Sequence, residues 1–169
     1  MIKFNLLKLI IDFGNSRVKL ALFSKKDLVA TKTIKLFSRK QVIGFCGDNN
    51  ISSSIYSSVR KLNDEEKKLV SSLNCLEINK HTPLPISSIY ESHIGSDRIA
   101  AVVGATFLFP NKDIWVFDAG TCLTADFIDK EKKYHGGRIT LGLKMRYKAL
   151  NDYTSDLPLI NQQENSPFK

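Results

Sequence analysis

Leu9-Ile10-Ile11-Asp12-Phe13-Gly14-Asn15-Ser16 decides the reading of this chain, because its pattern returns as Ile114-Trp115-Val116-Phe117-Asp118-Ala119-Gly120-Thr121. Each copy is an apolar strand that runs into Asp-x-Gly and a polar residue, and each is followed by a second strand-like segment, so each predicts a hairpin. A carboxylate at the end of a strand can hold a cation directly or through water. A glycine two residues later is expected to turn the backbone with φ > 0 and let it approach an anion closely. The amide or hydroxyl beside it, Asn15 or Ser16 in one copy and Thr121 in the other, can bond phosphate oxygens. One Asp-x-Gly is an ordinary turn. Two, each after an apolar strand and each opening a hairpin, point to a pair of phosphate-binding loops that clamp one ligand. Lys19 follows on the second strand, where alternation decides whether its ammonium reaches the loop.

Outward from the first copy, Leu6–Phe13 is a near-continuous apolar run that predicts a strand buried on both faces, and Val18–Ser24 and residues 28–34 complete a three-strand meander around the turn Lys25-Lys26-Asp27. Residues 37–45 predict a short helix and 51–59 a serine-rich strand. Asn63 with Glu66 three residues on is a capping-box pattern, and Leu62, Leu69, Val70 and Leu73 fall on one helical face. Residues 75–78 predict a strand, and His81-Thr82-Pro83-Leu84-Pro85 a loop. Ser96 or Asp97 then caps a helix through Ile99, Ala100, Val103 and Phe107, which Pro110 ends. Around the second copy, residues 114–117 predict a buried strand with Trp115 in the core, 123–128 and 134–140 two returning strands, and 143–150 a final helix. A polar tail carrying Pro158, Asn161 and Pro167 follows.

With 169 residues, 43% hydrophobic and 25% charged, the chain has apolar material for a folded core in one domain or two small lobes. No apolar run approaches the roughly 18 residues of a membrane span, and residues 1–5 lack the order of a signal peptide, so a cytoplasmic protein without membrane attachment is expected. Three cysteines (Cys46, Cys75, Cys122) with no C-x-x-C speak for reduced thiols, against a disulfide framework or a zinc site. The formal charge of +8 is uneven: residues 1–50 hold ten Lys and Arg against Asp12, Asp27 and Asp48. Such a segment suits an anionic small molecule, a nucleic acid, or simply a solvated lysine-rich surface. No helix-turn-helix, aromatic RNA-binding motif or zinc spacing supports nucleic acid as a partner.

At these residues the chain resembles the type III pantothenate kinases of the actin-like ATPase superfamily. Asp12-x-Gly14-Asn15-Ser16-x-x-Lys19 resembles that family's first phosphate loop, with Ser16 where threonine is commoner. Gly95-Ser96-Asp97-Arg98 resembles its G-x-D-R segment. Asp118-x-Gly120-Thr121, with Thr124 and Asp126, resembles its second phosphate loop, with Cys122 where alanine is usual. The pair Gly136-Gly137 and then Gly142-Leu143 resemble the turn and helix start that follow. The resemblance implies an α/β architecture: a duplicated RNase H-like fold with mixed sheets opening in a three-strand meander. Its first lobe would span residues 1–110 and a second, incomplete lobe residues 111–169. It implies ATP-dependent phosphorylation of pantothenate to 4'-phosphopantothenate, the first step of coenzyme A biosynthesis, by a homodimer. Carried over by residue, Asp97 would be the general base, and Gly95, Ser96, Asp97, Arg98 and Tyr90 would bind pantothenate. Asp12, Gly14, Asn15, Ser16, Lys19, Gly120 and Thr121 would bind ATP, with Asp12 near Mg2+ and Asp118 holding a monovalent cation, K+ or NH4+.

This division of labour suits phosphoryl transfer, which needs positioning and charge neutralisation more than covalent chemistry. A carboxylate in the first turn of a helix is stabilised as an anion by the helix dipole, the form a base requires. Taken alone, Asp97 reads as an N-cap, with Arg98 paired to a surface acid. The alternative for the whole chain is a non-catalytic nucleotide-binding or regulatory relative of the same fold. Retention of Asp97 beside both loops speaks against it. His93 receives no role.

Overall fold

In the computed structural model, which describes residues 6–79, 81–88 and 94–160, β1 (Leu6–Phe13) alternates strictly. Leu7, Leu9, Ile11 and Phe13 are buried, while Leu6 and Lys8 are exposed and Ile10 and Asp12 half-buried. The strand is therefore covered on one face rather than both. The core on that face joins β1 to Val18, Leu20 and Leu22 of β2 (Val18–Ser24), Val42 and Cys46 of α1 (Arg39–Cys46), and Tyr56 and Val70 from further along the chain. The period-2 pattern leaves Asp12 on the opposite face, where a carboxylate keeps access to water.

β1 pairs antiparallel with β2, and β2 with β3 (Asp27–Ile34), which gives the expected meander. The chain then crosses through α1 and returns as β4 (Asn50–Ser58), parallel to β1 on its other edge, as a crossover by helix allows. α2 (Asp64–Ser72) follows, and β5 (Leu76–Glu77) extends the sheet to the order β3-β2-β1-β4-β5. The Asn63–Glu66 capping box forms as the spacing predicts: Glu66 N–H donates to Asn63 Oδ1 at 2.8 Å, and Asn63 N–H to Glu66 Oε2 at 3.0 Å.

A second sheet has the order β6-β9-β8-β7. β7 (Ile114–Ala119), β8 (Cys122–Ile128) and β9 (Lys133–Leu141) repeat the antiparallel meander, and the short β6 (Ser87–Ser88) lies parallel to β9. The helices are α3 (Ser96–Leu108) and α4 (Leu143–Asp152). By compactness the chain forms two units, Met1–Pro83 with His93–Ala100 and Leu84–Ser92 with Ala101–Lys169. The lobes 1–110 and 111–169, implied by the resemblance, differ from this division over residues 84–92 and 101–110. In both sheets the strand that ends in Asp-x-Gly begins the meander, so the mixed α/β duplication expected from the repeat is present. The sheets differ beyond it. β1 is flanked on both sides, whereas among the described residues β7 is an edge strand.

The sheet also overturns the expectation of a core tryptophan, because among the described residues the face that carries Trp115 is the less covered one: Ala125 and Phe127 on it are half-buried, while Thr124, Asp126 and Ile128 on the other face are buried. Trp115 and Phe117 share one face of β7 and are 59% and 66% exposed. Trp115 instead lies against Phe127 of the neighbouring strand, with ring centroids 5.1 Å apart and the planes tilted by 40°. Gly136 and Gly137 also depart from expectation: they lie inside β9, opposite Phe127 and Asp126, and not at a turn.

Candidate active site

Asp12 stands at the C-terminal end of β1, across from Lys19 in the antiparallel register and from Ser57 in the parallel one. Both neighbours reach it. Lys19 Nζ lies 3.6 Å from Asp12 Oδ2, so strand alternation does bring the ammonium to the loop's carboxylate. Ser57 Oγ donates to Asp12 Oδ1 at 3.0 Å. The residues between the two strands, Gly14 to Arg17, form the loop, with Asn15 and Ser16 exposed. Neither Gly14 nor Gly120 takes the positive φ expected from the Asp-x-Gly pattern; among the described glycines only Gly47 and Gly136 do. What the absence of a side chain provides at Gly14 is space, because a Cβ there would stand 3.1 Å from the Arg17 carbonyl.

The G-x-D-R segment belongs to the same compact unit. Its helix is capped by neither Ser96 nor Asp97. The Gly95 carbonyl accepts the first helical bond, from Ile99 N–H at 3.2 Å, which puts Ser96 and Asp97 in the first turn. A Cβ on Gly95 would collide with Asp97 Oδ1, so the carboxylate folds back over the glycine. Ser96 Oγ accepts from Ser58 N–H at 3.0 Å and lies 3.1 Å from the Ser58 carbonyl as donor. Consecutive residues at the end of β4 thus hold the two carboxylate-bearing elements, Ser57 the first loop and Ser58 the start of α3. Arg98 is half-buried and partnered. Tyr90 and His93 lie outside the described residues.

Behind these groups sits an ion pair that sequence reading misses. Arg60 Nη1 and Nη2 bond the two oxygens of Glu66 at 2.8 and 2.7 Å, and the guanidinium lies 5.4 Å over the ring of Phe13. Glu66 is buried, and the Arg60 hydrogen bonds hold its carboxyl below its ordinary value, while Glu66 raises Arg60 above its own. The capping-box pattern locates Glu66, but only the fold shows that both of its oxygens meet an arginine.

In the second unit Asp118 is exposed at the end of β7, with Thr124 of β8 opposite it. The turn that follows is tight: Gly120 N–H donates to the Cys122 carbonyl at 2.8 Å and Gly142 N–H to the Thr121 carbonyl at 3.2 Å. A Cβ on Gly142 would run into the carbonyls of Thr121 and Gly120, so the start of α4 can close on this loop only as glycine. Gly120 and Thr121 themselves are exposed. Asp126 is buried and bonded by the Tyr134 hydroxyl. Among the described residues no three of His, Cys, Asp or Glu gather into a ready metal cage, and no helix is long and apolar enough to cross a membrane.

The comparisons with known proteins bear on this geometry. The family model described as type III pantothenate kinase matches residues 8–168. Proteins named type III pantothenate kinase from Phocaeicola vulgatus and Bacteroides fragilis are each 39% identical, over 96% and 95% of this chain and 69% and 68% of theirs. One from Cytophaga hutchinsonii is 39% identical over 96% of this chain and 68% of its own. Among solved structures, the ethanolamine utilization protein EutJ of Carboxydothermus hydrogenoformans superposes with a TM-score of 0.51 at 14% identity, over 90% of this chain and 58% of that one, a likeness of fold alone. The matched span takes in both Asp-x-Gly loops and the G-x-D-R helix, and the chain belongs to the type III pantothenate kinase family.

Proposed function

We propose that this chain performs its family's reaction, ATP-dependent phosphorylation of pantothenate to 4'-phosphopantothenate in coenzyme A biosynthesis, with Asp97 as the general base. The primary hydroxyl oxygen of pantothenate attacks the γ-phosphorus of ATP. Asp97 takes the hydroxyl proton, the bond from the γ-phosphorus to the bridging oxygen breaks, and ADP leaves. What carries the reading is the tie at the end of β4, where Ser57 bonds Asp12 and Ser58 bonds Ser96. It holds the first phosphate loop and the base-bearing turn in one frame, which positional catalysis needs.

In this reading Gly14, Asn15, Ser16 and Lys19 bind the phosphates of ATP, with Lys19 leaving Asp12 for a phosphate oxygen. Gly120 and Thr121 supply further nucleotide contacts. Gly95 and Arg98 bind pantothenate, Arg98 by its fixed fork of donors to the substrate carboxylate. Tyr90 belongs to the same proposal. Asp12 suits Mg2+: its side chain is 32% exposed, Ser57 orients one oxygen, and a hard cation held mainly by phosphates needs only one or two carboxylates. Mg2+ there would neutralise charge on the β- and γ-phosphates. The exposed Asp118 is the proposed ligand for K+ or NH4+. A homodimer and a cytoplasmic location complete the proposal.

The test is phosphopantothenate formation with ATP, Mg2+ and pantothenate, in potassium or sodium, beside Asp97→Asn. Product that needs potassium and falls by about 10²-fold or more in the variant supports the base assignment. Undiminished turnover in Asp97→Asn removes it. Sedimentation at several concentrations tests the dimer.

A further inference from the structure

We propose that Ser96 is a positioning residue for Asp97 and not a pantothenate ligand: its hydroxyl, engaged on both backbone groups of Ser58, pins the first turn of α3 to the end of β4. The inference rests on the reading of Asp97 as the base. Its physical basis is the bonding capacity of one hydroxyl. Serine has a single O–H to donate. The Ser58 carbonyl takes it at 3.1 Å, while Ser58 N–H fills one acceptor position at 3.0 Å. Little is left for a substrate.

The latch also answers two needs of the backbone. Ser58 is the last residue of β4, paired in register with Phe13 of β1, and the chain leaves the sheet there. Its N–H and carbonyl would otherwise lack a partner from the next element. The first turn of α3 has no serine or aspartate at its cap position, which Gly95 occupies, and the Ser96 oxygen is engaged with Ser58. The helix start is instead fixed from outside, by a strand whose preceding residue, Ser57, holds Asp12. Asp97 is the residue after Ser96 and folds back over Gly95, so a rotation of this turn moves its carboxylate directly. A displacement of about 1 Å at a reacting group can cost on the order of 10²-fold in rate.

Three variants and a double variant test the latch. Ser96→Ala should lower kcat about tenfold or more and leave KM for pantothenate within about twofold, and Ser96→Thr, which keeps the hydroxyl, should restore kcat. In an Asp97→Asn background Ser96→Ala should cost almost nothing further, since a positioning group has nothing left to position. Amide hydrogen exchange at Ser58 and Ile99 should quicken in Ser96→Ala and return in Ser96→Thr, whatever the turnover. A rise in KM for pantothenate with kcat unchanged would make Ser96 a ligand and overturn the proposal, as would unaltered exchange at Ser58. If Asp97→Asn retains full activity while Ser96→Ala still quickens exchange, the base assignment fails and the latch survives only as structure.

Discussion

Ser57 Oγ donates to Asp12 Oδ1 across the parallel β1–β4 pair at 3.0 Å, while Lys19 Nζ stands 3.6 Å from the other oxygen. The carboxylate thus has one oxygen oriented by a neutral donor from the sheet and the other facing a largely exposed ammonium. Asp12 is therefore aimed before any cation arrives. Ser57→Ala should leave the fold intact and raise the Mg2+ concentration needed for half-maximal turnover several-fold, with a smaller effect at saturating Mg2+. A Mg2+ titration of initial rate in the variant and its parent reads this directly. An unchanged half-saturation point would mean that Ser57 does not orient the ligand.

The Arg60–Glu66 pair makes a prediction about acid. The Glu66 carboxyl is held below its ordinary value of 4.5, first by the hydrogen bonds from Arg60 and then by the capping bond to Asn63 N–H. A carboxyl depressed on folding contributes stability that is present in full above its unfolded value and is lost as pH falls through its folded value. The chain should therefore lose stability below about pH 4.5 more steeply than Glu66→Gln, which has no such proton to take up. At neutral pH the same variant should cost about 1–3 kcal/mol, the range for a charge-assisted bond whose loss leaves a partner wanting. Melting curves from pH 7 to pH 3 for both proteins test it, and parallel slopes would show that Glu66 is not depressed.

Gly95→Ala should separate activity from stability. The added methyl meets only the end of the Asp97 side chain, which can swing away, so the fold should survive with a loss of about 1 kcal/mol or less, as for alanine in place of glycine at a cap. The carboxylate, however, can no longer lie over the glycine. Turnover should fall at least tenfold while ATP still binds, as measured by initial rates beside nucleotide titration. Full activity would mean that the folded-back carboxylate is not the working one.

Much of this was legible locally. The meander follows from three short apolar segments with polar turns, and the capping box from Asn63 and Glu66 at the right spacing, since both are set by neighbours in sequence. The repeat disclosed the paired Asp-x-Gly hairpins for the same reason. What stayed hidden depends on partners far along the chain. Trp115 reads as core because an apolar run does not say which face of its sheet will be covered. The φ > 0 expected at Gly14 failed because that loop needed room beside Arg17 and not a left-handed turn. Ser57 and Ser58 look like filler in a serine-rich strand. Their role appears only when β4 lies beside β1 and α3 begins next to both, and G-x-D-R itself suggested a cap or a substrate contact for Ser96.

Gly142→Ala should behave in the opposite way to Gly95→Ala. Here the new Cβ would run into the backbone carbonyls of Thr121 and Gly120, which cannot rotate aside as a carboxylate can. Either the second loop shifts or the start of α4 withdraws from it, and the Gly142 N–H to Thr121 bond at 3.2 Å is lost in both cases. Overpacking against a fixed neighbour costs about 1–3 kcal/mol. The melting temperature should therefore fall by several degrees, and with it the affinity for ATP if Gly120 and Thr121 serve the nucleotide. Calorimetric unfolding and nucleotide titration on the same preparation decide between outcomes. A lower melting temperature with unchanged ATP affinity would keep the packing account and remove the second loop from the nucleotide site. An unchanged melting temperature would show that the loop yields, and that Gly142 is not there for lack of space.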